Sequence, residues 1–114
     1  MIKDSDYLNF VTSIEIVLKD LRKEKGLSQG KEKGLSQSDV NIEFAQKYDI
    51  TLNMGRMESH PNFTMTKLYL LCKYFEISLE DFFKRVSNKN QTEIDIFLNE
   101  KENRLIKKKH KKSN

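Results

Sequence analysis

Residues 50–62, ITLNMGRMESHPN, gather the side chains with the most to offer a partner. Leu52, Met54 and Met57 recur at helical spacing and leave Asn53, Gly55 and Arg56 on other faces, while Thr51 is a helix-capping type and His60-Pro61-Asn62 is a stop. A helix of about two turns is not stable alone in water, so neighbours must carry it. Its outer face would then present an amide and a guanidinium. Those groups match base edges in a major groove, the guanidinium giving two hydrogen bonds to guanine and the amide pairing with adenine. The same pattern also suits an ordinary helix of a small bundle, and the flanking sequence has to choose.

Other chemistry has few residues to work with. The two histidines are His60, in a turn, and His110, in a basic run. No glycine-rich phosphate loop, nucleophile with a base in prospect or zinc-ligand spacing is present, so neither an enzyme nor a cofactor, metal or small-molecule substrate is expected. Cys72 is the single cysteine and reads as a small buried hydrophobe. No apolar run reaches membrane-spanning length, and residues 1–10 show no signal-peptide pattern, which together predict a cytosolic protein. The net charge is +4. Residues 1–87 carry 13 basic and 13 acidic side chains, and residues 88–114 carry 8 and 4, so the excess belongs to the tail. A folded region that binds nucleic acid would have to do so with a local patch.

Five short helices are predicted to hold residues 50–62 in place. In the first, capped by Ser5 or Asp6 and ending near Gly26, Tyr7, Val11, Ile14, Leu18 and Leu21 form an apolar stripe that Phe10 and Val17 widen. The second runs over residues 37–48 and buries Val40, Phe44 and either Ala45 or Tyr48. The third is the short helix itself. Thr64 caps the fourth, which buries Leu68, Leu71, Cys72 and Phe75, with Leu70 and Tyr74 at its margins. Ser78 with Asp81 makes an acidic capping box for the fifth, which buries Leu79, Phe82, Phe83 and Val86. This is an all-α, compact five-helix domain over residues 1–87. Residues 88–114 read as a linker, a further helix over residues 93–106 that docks on the domain or pairs with its twin, and a disordered basic run over residues 107–114.

The heptapeptide KEKGLSQ occurs at residues 23–29 and again at residues 31–37, with Gly30 between. This is a local tandem duplication that adds eight residues between the first two helices. The second copy launches the second helix, because Ser36 precedes Asp39 by three residues and Leu35 can staple onto Val40. The insert, residues 26–34, is predicted to loop into solvent at a chain-entropy cost of ~1 kcal/mol. A longer hinge also permits the first helix to pack on a second molecule.

At LRKEKGLSQ (residues 21–29), at Arg56-Met57-Glu58 with Asn62, and at ISLEDFF (residues 77–83), the sequence resembles the Cro/repressor-type helix-turn-helix family, the lambda-repressor-like fold. The resemblance covers about residues 10–86. It departs from the family's pattern in the duplicated loop, in about three extra residues between Gln37 and Glu58, and in His60 where a glycine is common. It implies a transcriptional regulator, often a repressor, that reads double-stranded DNA as a homodimer on a palindromic operator. It assigns Gln37 to a phosphate at the start of the second helix, Thr51, Asn53 and Arg56 to the groove, and Asn62 and Lys67 to the backbone. Arg22 and Glu58 would form a structural ion pair. The competing expectation is a helical protein-interaction module, such as an antitoxin or a regulator's partner subunit.

Overall fold

Small polar residues fix where the helices begin. In the computed structural model, which describes residues 4–112, Asp4 rather than Ser5 or Asp6 caps α1 (Ser5–Ser28), its carboxylate accepting from the Tyr7 N–H at 3.0 Å. Ser36 caps α2 (Gln37–Tyr48) in a reciprocal box. Its hydroxyl accepts from the Asp39 N–H at 3.0 Å, and its own N–H donates to the Asp39 carboxylate at 3.1 Å. The bond from the Ser36 N–H foremost, and the Ser36 hydroxyl after it, hold the Asp39 carboxyl below the usual range. Asn53 caps α3 (Met54–Ser59), Thr64 caps α4 (Met65–Tyr74) and Ser78 caps α5 (Leu79–Ser87). The sixth helix, α6 (Gln91–Lys112), starts after Asn90, whose side chain accepts from the Glu93 N–H at 2.8 Å. Among the described residues the structure is helical, with no strands.

The core sits where α1, α2, α3, α4 and α5 converge. Val17, Leu18, Leu35, Val40, Phe44, Met54, Leu71 and Phe82 are its most deeply buried side chains. Ile14, Leu21, Leu52, Met57, Leu68, Cys72, Tyr74, Phe75 and Val86 complete it. Burial pushes the Cys72 thiol up to about 11, so this residue packs as an apolar side chain rather than a nucleophile. No helix among the described residues is long and apolar enough to cross a membrane.

The apolar stripe of α1 enters the core only from Ile14 onward. Tyr7 and Phe10 are exposed and Val11 is half-buried, where the start of α1 lies beside the start of α6. Contact there is polar, through the Asn9 amide donating to Gln91 Oε1 at 3.0 Å. Periodicity identifies the face of a helix but not how far along it the core reaches. In α2, Ala45 is exposed and Tyr48 takes the inward place, its ring centroid 4.9 Å from that of Phe44.

The duplicated heptapeptide adopts two conformations. Its first copy does not loop out but continues α1 to Ser28, and the connection runs from residue 29 to residue 36. The extension is held by side chains of that copy. Lys25 Nζ donates to the Tyr74 carbonyl at 2.9 Å and lies 4.3 Å from the Tyr74 ring centroid. Glu24 accepts from Nη1 and Nη2 of Arg85 at 2.7 and 3.1 Å. In the second copy the same residue types turn the chain: Gly34 has φ +77°, and Leu35 is 1% exposed where Leu27 is 57% exposed. The two copies also touch. A Cβ on Gly26 would lie 2.2 Å from the Gly34 carbonyl carbon and the Leu35 nitrogen, so the returning backbone presses directly onto the helix at its one side-chain-free position.

The chain beyond α5 also differs from the sequence expectation. Residues 107–112, predicted to be disordered, continue α6; residues 113 and 114 lie outside the described residues. Ile94 is 3% exposed against the bundle and Lys101 bonds to α1, and a helix seated over its first half propagates at one residue fixed per bond. Its basic end further suits the helix dipole.

The contact between copies makes a direct prediction. Gly26→Ala should cost about 3 kcal/mol in urea denaturation by forcing backbone apart. Gly30→Ala, where no atom lies within 4 Å and φ of +81° is the sole obstacle, should cost about 1 kcal/mol.

Candidate nucleic-acid interface

The short helix α3 is held by its surroundings rather than by its own length. Leu52, Met54 and Met57 are buried beneath it. The Met54 N–H donates to Asn41 Oδ1 of α2 at 2.8 Å, and Asn53 Oδ1 accepts from the Arg56 N–H at 3.0 Å. Thr51, expected as the cap, is therefore not the cap: both residues are capping types, but Asn41 fixes the first turn at Met54. At the far end the His60 N–H donates to the Arg56 carbonyl at 2.8 Å.

Beneath α3 lies the ion pair. Arg22 Nε and Nη2 donate to the two Glu58 oxygens at 2.8 and 2.9 Å, and Nη1 donates to the Leu35 carbonyl at 2.7 Å. Gln37 Nε2 adds a bond to Glu58 Oε1 at 3.2 Å. A planar guanidinium satisfied on three nitrogens by a carboxylate and a carbonyl is a rigid joint, and here it links α1, the turn before α2, α2 and α3. Glu58 is 8% exposed.

The outward side of α3 is free. Thr51, Asn53, Arg56 and Asn62 are exposed and Lys67 is half-buried; with Met57, His60, Phe63 and Thr64 they line one concave strip between α3 and α4. The strip contains no carboxylate. Among the described residues, neither Arg56 nor Lys67 has a carboxylate oxygen within 4 Å. Asn53 spends one lone pair on the cap and keeps its amide hydrogens and the other lone pair. Five of the six expected contact residues thus converge on one surface.

Gln37 does not join them. It lies on the opposite flank of α3, with its amide nitrogen on Glu58 and its Oε1 3.0 Å from where a Cβ on Gly55 would stand. In this position it braces the ion pair, a role its place at the start of α2 did not reveal. His60 and Thr64, absent from the sequence-derived set, also line the strip; both are short-range neighbours of Asn62, which was the available signal.

The flank occupied by Gln37 is bordered by α6. Lys101 Nζ donates to Glu15 Oε1 at 2.8 Å and to the Ser59 carbonyl at the end of α3 at 3.4 Å. Glu15 is 3% exposed. Burial raises its carboxyl above the usual range, and the bond and charge of Lys101 only partly oppose this.

Comparison of the chain with models of protein families, with curated proteins and with solved structures finds no match in any of the three.

Two predictions follow from these buried charges. Arg22→Met leaves Glu58 buried and unpaired and should cost about 3 kcal/mol, whereas Arg22→Met with Glu58→Leu should recover part of that loss in chemical denaturation. For Glu15, a raised folded-state pKa means that the folded chain binds this proton more tightly than the unfolded chain. Stability is then lost as pH rises from the ordinary value of 4.5 through the folded value. Glu15→Gln should be more stable than the parent at pH 7, with the gap closing as the pH falls through the folded value and closed by about 4.5, measured by thermal melts across the range.

Proposed function

We propose that this chain is a sequence-specific regulator that binds double-stranded DNA, with α2 and α3 acting as a helix-turn-helix of lambda-repressor-like arrangement and α3 entering the major groove. The observation that carries this reading is the carboxylate-free strip on which Thr51, Asn53, Arg56, Asn62 and Lys67 meet, its two cations without acidic partners among the described residues. Arg56 has the donor geometry for a guanine edge, Asn53 that for adenine, and Asn62 and Lys67 flank them as phosphate contacts. A six-residue helix reads only a few base pairs, so a homodimer on a palindromic site supplies the remaining specificity.

A helical protein-interaction module is the second reading. It draws on the charge balance of residues 1–87 and on the exposed apolar residues Tyr7, Leu8 and Phe10 at the start of α1.

Fluorescence anisotropy with a pool of labelled duplexes, followed by selection of the tightest sequence, separates the two. DNA binding predicts affinity that falls steeply with salt, by about 0.9 in logarithmic slope for each phosphate neutralised. Arg56→Ala should relax sequence preference by about 1–3 kcal/mol at one position of the selected site. Lys67→Ala should weaken all duplexes alike and make the salt slope shallower by about 0.9. No binding to any duplex at low salt would overturn the reading in favour of the interaction module.

A further inference from the structure

A second basic surface lies across α3 from the strip, in the cleft between α1, α3 and α6. Lys19, Gln37, Gly55, Ser59, Arg104 and Lys108 border it. Its two carboxylates, Glu15 and Glu58, are already taken by Lys101 and Arg22. Lys19, Arg104 and Lys108 have no carboxylate oxygen within 4 Å among the described residues, although Glu100 stands nearby on the outer side of α6. Burial first, and then the charges of Arg104 and Lys23, hold the Lys19 ammonium below the usual lysine range, with Glu100 and Glu58 opposing.

The placement of these cations is set by the fold. Lys101, Arg104 and Lys108 follow one another at steps of three and four on α6 and so share a face. Lys101 is tied to the end of α3 through the Ser59 carbonyl and to α1 through Glu15, which turns that face toward the Gln37 flank of α3. A helix lying in a major groove runs between two phosphate backbones about 12 Å apart. Lys67 and Asn62 stand on one flank of α3, and this cluster stands on the other.

Taking the DNA-binding reading as its basis, we propose that the C-terminal half of α6 is a second phosphate-gripping arm. Arg104 and Lys108 hold the backbone on the Gln37 side of α3 while Lys67 holds the opposite one. α6 thereby takes over the anion contact that Gln37, engaged with Glu58, does not make through its amide nitrogen.

The test measures anisotropy of the full chain with a random-sequence duplex of about 24 base pairs over a salt series. Three proteins are compared: the parent, Arg104→Ala/Lys108→Ala, and Lys47→Ala/Lys84→Ala, which removes equal charge from α2 and α5. Thermal melts establish that all three are folded. The α6 variant should lose about tenfold or more in affinity at ~0.1 M salt and show a slope shallower by about 1.8, with the control at the parental slope. An unchanged slope in the α6 variant, an equal change in both variants, or tighter binding when the α6 cations are removed overturns the arm and leaves the groove reading intact. A parent that binds no duplex sinks both.

Discussion

The fork between Arg22 and Glu58 is the constraint on which the architecture turns. α3 has six residues, too few to persist by backbone bonding, and its position relative to α1 is set by a charge pair that cannot be left half-made. Because Arg22 also takes the Leu35 carbonyl and Gln37 takes Glu58, the same joint locates the turn before α2 and the first residue of that helix. Burial of Met54 and Met57 supplies cohesion, but apolar contact alone would tolerate sliding; the planar, bidentate pair fixes direction. The outward display of Asn53 and Arg56 is therefore a consequence of what happens on the inward side at Glu58.

The same logic explains why α6 belongs to the domain and is not an appendage. A buried Glu15 on α1 demands a cation, and Lys101 of α6 supplies it while bonding to the end of α3. One charged contact thus settles which face of a long, sparsely apolar helix looks at the bundle. Ile94 anchors the other end.

Much of this was legible in the residues. Ser36 and Ser78 are readable as caps because an aspartate stands three residues after each, and Thr64 because a helical apolar pattern follows it. Val40, Phe44, Leu52, Met54, Met57, Leu68, Leu71 and Phe82 were readable as core by their spacing, and five of the six contact residues do share a surface. What escaped has physical causes. Thr51 and Asn53 are both good caps, and only Asn41, distant in sequence, decides between them. Tyr7 and Phe10 have the right phase on α1 but stay exposed, because phase does not tell how far along the helix the core extends. The resemblance implies a phosphate contact for Gln37 at the start of α2, whereas its partner in the structure, Glu58, is 21 residues away. Residues 107–112 look like a solvated tail because local composition carries no trace of the tertiary anchor that begins at Ile94. Long-range partners, absent from any local window, account for most of these differences.

The twin KEKGLSQ segments raise a question of uniqueness, since either one offers a leucine for the core and a serine for the cap. Helical phase answers it. If the first segment took the turn and α2 began eight residues earlier, those residues would add a little over two turns, leaving Val40 and Phe44 rotated by about 80° from the direction in which the new start would aim them. The apolar stripe would then miss its seat. An interval of seven or eleven residues lies closer to a whole number of turns and would have left the chain two nearly degenerate ways to pair its first helices; the interval of eight makes them unequal.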